Sequence, residues 1–163
     1  MTLHRYVEFS EPPPQREYIY CKIRKVRLSN GRVISSPFMW TGLSIVEPID
    51  WQEEIFLESK IKGILSNAYD LIYQDKKSQR HKLIRTMQNR GLFSKCDSGG
   101  FQLMKYGNDK LKSLTVKKVY EKQMEVNSDI VIQLDFPLGV GLNREEKMKR
   151  IDKTVENYKQ LKS

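Results

Sequence analysis

Leu92-Phe93-Ser94-Lys95-Cys96-Asp97-Ser98-Gly99-Gly100-Phe101-Gln102 is the stretch that decides how this chain is read. A short apolar run leads into an ionisable side chain, a hydroxyl, two adjacent glycines and an aromatic. Leu92 to Cys96 reads as a strand, and glycines after a strand let the backbone turn and come close to a bound group. An ordinary Asp-Ser-Gly-Gly turn would account for the four polar and glycine residues alone. The flanking Phe101 and Gln102 favour a site instead, as does a second carboxylate, Asp135, which follows the apolar run Ile130-Val131-Ile132.

Outward from this point the chain alternates. Residues 51 to 60 read as a short helix, with Trp51, Ile55 and Phe56 among Glu53, Glu54 and Glu58, and Ile61 to Leu65 as a buried strand ending near Asn67. Residues 75 to 89 form a helix with Leu83, Ile84 and Met87 on its apolar side, stopped by Gly91. Thr115 to Val126 places Val116, Val119, Tyr120 and Met124 near helical spacing, and Asp129 to Asp135 reads as a further buried strand. Residues 144 to 161 close with a charged helix. Strand and helix alternating at this spacing predict βαβ units and a parallel sheet. Asp97 and Asp135 then both fall at C-terminal strand ends, the edge that carries the site in such folds. Upstream, Ile19, Cys21 and Ile23 alternate within Tyr18 to Leu28, and Asn30-Gly31 separates this run from Val33 to Met39, which predicts a hairpin. Pro37 belongs at a strand edge or entry. Residues 1–17, with Pro12-Pro13-Pro14, read as an extended arm.

The composition, 39% hydrophobic and 30% charged over 163 residues, is that of a globular domain. No apolar run approaches the roughly 20 residues that cross a bilayer, and Met1-Thr2-Leu3-His4-Arg5 does not lead into a signal core. A cytoplasmic protein with no membrane partner is expected. Cys21 and Cys96 are far apart, as are His4 and His81, so neither a disulfide framework nor a metal cluster is legible, and both cysteines read as free thiols. Lys and Arg outnumber Asp and Glu 29 to 20, a net charge of +9. The excess gathers in two places: Lys22, Arg24, Lys25, Arg27 and Arg32, and then Lys76, Lys77, Arg80, Lys82, Arg85, Arg90 and Lys95. Such clusters suit a phosphate backbone.

Asp97-Ser98-Gly99-Gly100-Phe101-Gln102 resembles a signature of the tRNA-guanine transglycosylases, which exchange guanine in a nucleic acid for a 7-deazaguanine. Gly31 to Met39, Gly63 to Leu71 and Asp129 to Asp135 resemble other segments of that family in the same order. The resemblance implies a TIM (β/α)8 barrel of the transglycosylase type. Its first four strands would be Phe38 to Gly42, Ile61 to Ser66, Leu92 to Cys96 and Ile130 to Leu134, with the hairpin as an N-terminal decoration. A closed barrel takes about 200 to 250 residues, so residues 18–163 are expected to be an N-terminal half-barrel.

The resemblance also assigns roles. Asp97 would be the general acid/base, Ser98, Gly99, Gly100 and Gln102 would line the base site, and Phe101 would stack on the purine. Asp135 would accept from the purine N1 and 2-amino groups, with Asn67 in support. Ala68, Asp70 and Phe136-Pro137 depart from the family pattern, which leaves the acceptor open between tRNA and DNA, with a noncatalytic nucleic-acid-binding subunit as the alternative. The family's nucleophilic aspartate and its zinc site lie later in its sequence. No cofactor is therefore expected in this chain, zinc only in a C-terminal half, and base exchange not from these residues alone. A homodimer or a complementing C-terminal half is the expected partner.

Overall fold

The computed structural model describes residues 8–9, 25–35, 38–106 and 114–162. It is a mixed α/β fold with two sheets. Strands β1 (Glu8–Phe9), β2 (Lys25–Arg27) and β3 (Val33–Ser35) form an antiparallel sheet in that order. Strands β4 (Trp40–Gly42), β5 (Gly63–Asn67), β6 (Phe93–Asp97) and β7 (Ile130–Val131) form a parallel sheet, each beside the next in sequence. Helices α1 (Ile49–Glu58), α2 (Ala68–Tyr73), α3 (Gln79–Asn89), α4 (Gly100–Tyr106), α5 (Val116–Glu125) and α6 (Arg144–Lys162) occupy the connections and the end. No helix among the described residues is long and apolar enough to cross a membrane.

The parallel sheet is covered on one face. Ile64 pairs with Ser94 and Ser66 with Cys96, so these four buried side chains share a side. There Ile64 packs with Phe56 of α1 and with Leu83 and Met87 of α3, while Cys96 joins Val116, Val119 and Val126 around α5 and Leu134 beyond β7. Each such fully buried aliphatic side chain contributes about 1.5–3 kcal/mol. The half-buried Leu65, Asn67, Phe93, Lys95 and Asp97 alternate with them and point to the other side. At the lower end of that side Phe38 lies against Trp40 and Phe93, with ring centroids 4.8 and 5.6 Å apart. Gly63 is required beneath them, since a methyl there would stand 2.7 Å from Trp40 Cε3.

The hairpin turns at Asn30-Gly31 as the sequence predicts, with Gly31 at φ +81°. Part of the expected N-terminal arm, Glu8–Phe9, pairs with β2 as a third strand. Residues 18–24, Pro37, Lys22, Arg24 and the thiol of Cys21 lie outside the described residues. The hairpin is fastened to the N-terminal end of the parallel strands by Asp129. This side chain, 4% exposed, accepts from Asn30 Nδ2 (2.8 Å), Arg32 Nη1 (3.1 Å) and the Ser94 amide (2.8 Å). Arg32 also donates to the Gly91 carbonyl and lies over the Phe93 ring. Arg80 is buried as well, donating to the carbonyls of Ser44 and Ile45 in the β4–α1 loop. Of the cations in the two basic clusters, Arg80 is thus engaged inside the fold, and Arg32, still partly exposed, is held in the hairpin clasp.

Several boundaries differ from expectation for local reasons. The helix expected from residue 75 begins at Gln79. Lys77 and Ser78 hold positive φ in a preceding 3-10 turn, and the Asp75 carboxylate caps α3 by accepting from the amides of Arg80 and His81. The strand expected from Asp129 to Asp135 is regular only at Ile130–Val131. Its neighbour β6 ends at Asp97, so residues 133–137 continue without a ladder partner among the described residues, and the Leu134 and Pro137 carbonyls and the Phe136 amide bond to side chains instead.

Candidate functional site

Asp97 is the last residue of β6 and pairs with Asn67, the last of β5, so both sit at the C-terminal end of the parallel strands on the face away from the helices. The chain then turns sharply. Gly99 has φ +87°, and a methyl there would stand 2.8 Å from Asn67 Oδ1 and 3.1 Å from the Tyr69 amide nitrogen. The Gly99 amide donates to Asp97 Oδ2 at 3.3 Å. Gly100 opens α4, and a side chain there would overlap the carbonyl oxygen and Oδ1 of Asp135, with Asp135 Cγ at 3.1 Å. Ser98 is fully buried: its hydroxyl donates to Asp135 Oδ1 at 3.0 Å and accepts from the Gly100 amide at 3.2 Å. Ser98, Gly100 and Asp135 therefore form one packed unit beside Asp97 and Asn67.

The other expected residues stand differently. Phe101 is 54% exposed on the first turn of α4. Gln102 Oε1 is buried with no hydrogen-bond partner among the described residues, as is Oε1 of Gln133, two residues before Asp135. A buried, unpaired acceptor costs about 1–3 kcal/mol. Asn67 caps α2, its Oδ1 accepting from the Asp70 amide at 3.2 Å, and Ser98 reaches the site only through Asp135. Burial raises the Asp70 carboxyl above its ordinary value, against the opposing charge of Arg80. The Cys96 thiol, next to Asp97 but on the helix-covered face, is pushed up to about 12 by burial and is a core group. Among the described residues no three His, Cys, Asp or Glu side chains are gathered to hold a metal ion.

Three residues of α6 went unread as site residues. Asn157 donates to the Leu134 carbonyl (2.9 Å), Thr154 accepts from the Phe136 amide (2.9 Å), and Arg150 donates to the Pro137 carbonyl (2.7 Å). Their spacing of four and three places them on one helix face, and that is the signal the sequence offered. The helix start was also legible: Asn143 and Glu146 exchange side-chain-to-amide bonds, both 2.9 Å, as a capping box.

Fold and edge together define an α/β protein with one carboxylate, Asp97, ending a parallel strand, a second, Asp135, four residues past the end of the adjoining strand, and a glycine turn after the first that bonds to the second. Compared with curated proteins, the chain is 30% identical over 141 residues to the tRNA-guanine(15) transglycosylase of Pyrococcus furiosus, covering 82% of this chain. It is 28% identical over 109 residues to that of Korarchaeum cryptofilum, covering 65%, and 26% identical over 109 residues to that of Archaeoglobus fulgidus, covering 59%. The chain spans only 23%, 18% and 22% of these relatives' own lengths. No family model matches it. The chain is a partial relative of the tRNA-guanine transglycosylase superfamily.

Proposed function

We propose that the protein belongs to a guanine transglycosylase acting on tRNA, with Asp97 and Asp135 on one base site. Breaking the bond between C1′ and the guanine nitrogen requires a group that handles the leaving base's proton, and Asp97 at the open strand end takes that role. Asp135 reads the base. Guanine and its 7-deaza analogues present two adjacent donors, N1–H and the 2-amino group, and a carboxylate presents two acceptors. Ser98 occupies only one site on Oδ1, leaving Oδ2 and a second lone pair. Phe101 offers an exposed ring for stacking. The single observation that carries the reading is the Ser98–Asp135 hydrogen bond, which ties the second carboxylate to the turn that follows the first.

A sheet with its helices on one face and its carboxylates on the other is what a barrel wall requires, and this supports a half-barrel of the TIM type for residues 18–163. The acceptor is taken as tRNA from the names of the relatives.

Base reading needs only groups on these 163 residues, so it is tested by calorimetric titration of the chain with guanine and with hypoxanthine, which lacks the 2-amino donor. Guanine should bind more tightly, and Asp135→Ala should weaken it by roughly tenfold or more, the loss of bonds to a charged acceptor. Equal affinity for the two bases would sink the reading. For the exchange itself, measured in a longer protein that carries these residues together with the nucleophile, incorporation of radiolabelled guanine into tRNA, with duplex DNA in a parallel arm, should fall by about 10² to 10⁴ in Asp97→Asn.

A further inference from the structure

We infer that α6 is a positioning element for Asp135, acting through Arg150, Thr154 and Asn157; this rests on the base-reading role proposed above. The argument begins with a gap in the sheet. The ladder between β6 and β7 ends at Cys96 and Val131, extended only by the Ile132 amide donating to the Cys96 carbonyl. Asp135 therefore lies beyond any strand that could hold its backbone.

A side chain's direction is set by the two peptide planes on either side of its Cα. The plane before Asp135 contains the Leu134 carbonyl, which accepts from the buried Asn157 Nδ2 at 2.9 Å. The plane after it contains the Phe136 amide, which donates to Thr154 Oγ1 at 2.9 Å. Both planes are thus held by one helix, one turn apart. Arg150 adds the Pro137 carbonyl at 2.7 Å, so the contacts run 157, 154, 150 against 134, 136, 137, helix and extended chain lying antiparallel. The Thr154 hydroxyl is itself fixed, donating to the Arg150 carbonyl at 3.0 Å. With the backbone held from α6 and Oδ1 held by Ser98, the carboxylate has little freedom to search for its ligand. Such prior ordering lowers the entropy lost on binding and favours a ligand whose two donors match the fixed acceptors.

The test is discrimination, not stability. In the 163-residue chain, guanine and hypoxanthine affinities are measured by titration calorimetry for wild type, Thr154→Val, Thr154→Ser and Arg150→Met. Val keeps the shape and removes the acceptor for the Phe136 amide, so the preference for guanine should fall about twofold to tenfold, the range for one hydrogen bond. Ser retains the hydroxyl and should restore the preference. Arg150→Met, at a half-exposed position, should lower it in the same direction without threatening the fold. Hydrogen exchange at the Phe136 amide should be slow in wild type and in Thr154→Ser, and fast in Thr154→Val. A folded Thr154→Val chain with fast exchange at Phe136 and undiminished guanine preference would overturn the inference and leave the base-reading proposal intact. A wild-type chain without guanine preference would overturn the proposal, and the inference with it.

Discussion

Gly100→Ala offers a way to move Asp135 without touching it. The added methyl would overlap the Asp135 carbonyl oxygen and Oδ1, with Cγ at 3.1 Å, whereas ordinary carbon–oxygen contact begins near 3.4 Å. Asp135 must retreat by about 1 Å. Residue 100 is the first of α4, where alanine is at least as favourable to the backbone as glycine, so the cost falls on the neighbour. Retreat breaks the Ser98 bond to Oδ1 or one of the Asn157 and Thr154 bonds beside it, a cost of about 1–3 kcal/mol for overpacking. For a domain of this size that lowers the thermal midpoint by roughly 2–12 °C. The functional loss should be larger in proportion, since a displacement of about 1 Å in a positioned group can cost on the order of a hundredfold. Gly99→Ala is the contrast: it imposes a methyl at φ +87° against the Tyr69 backbone and should fail as a folding defect. Calorimetric titration with guanine, paired with thermal melts, separates the two. A Gly100→Ala chain with a lowered midpoint and wild-type guanine affinity would refute the reasoning.

Other outcomes follow from charge and burial. Cys96 is neutral in the fold, its pKa raised from 9.0 to about 12, so below pH 9 it adds no pH dependence. Above pH 9 the unfolded thiol ionises and the folded one does not, so wild type should lose stability relative to Cys96→Ala by about 1.4 kcal/mol per pH unit until about pH 12. Urea titrations of both chains from pH 7 to 11 measure it, and parallel curves would refute it. Nucleic-acid affinity should fall with salt, and Arg85→Met, removing an exposed cation, should reduce that slope by about one contact. Arg80→Met should leave the slope unchanged and destabilise the chain by about 1–3 kcal/mol, since it strands the Ser44 and Ile45 carbonyls. Filter binding across salt concentrations and chemical denaturation read the two effects.

The parallel order of the strands was legible because Ile64-Leu65, Phe93 and Ile130-Val131 stand in short apolar runs separated by helical spacing, and the turn at Gly99 because two adjacent glycines rarely follow a strand without a backbone need. Less was visible where a polar side chain replaces a backbone partner. Gln123 looks like any helix-surface amide in the sequence, yet it is buried and donates to the carbonyls of both Cys96 and Ile132 where the ladder fails. Asp129 reads as a strand residue, and only the fold brings it within reach of Asn30 and Arg32. Ser98 illustrates the same limit inside the site. Its neighbours suggest contact with a ligand, but burial directs its hydroxyl to Asp135. Arg32 and Arg80 show the limit for charge, since local clustering does not reveal which guanidinium groups will find carbonyl or carboxylate partners far away in the chain.

The clasp at Asp129 also orders events in time. Every strand of the parallel sheet pairs with its successor, so that sheet can assemble by steps of short chain closure. Asn30 and Arg32 must instead wait for a residue 99 and 97 positions away, a closure whose entropic cost is met only once β7 has been laid beside β6. The hairpin is therefore expected to dock late, after the rate-limiting step. Asp129→Asn should quicken unfolding in stopped-flow experiments and leave refolding almost as fast as before, so that the hairpin sets how long the sheet lasts more than how soon it forms.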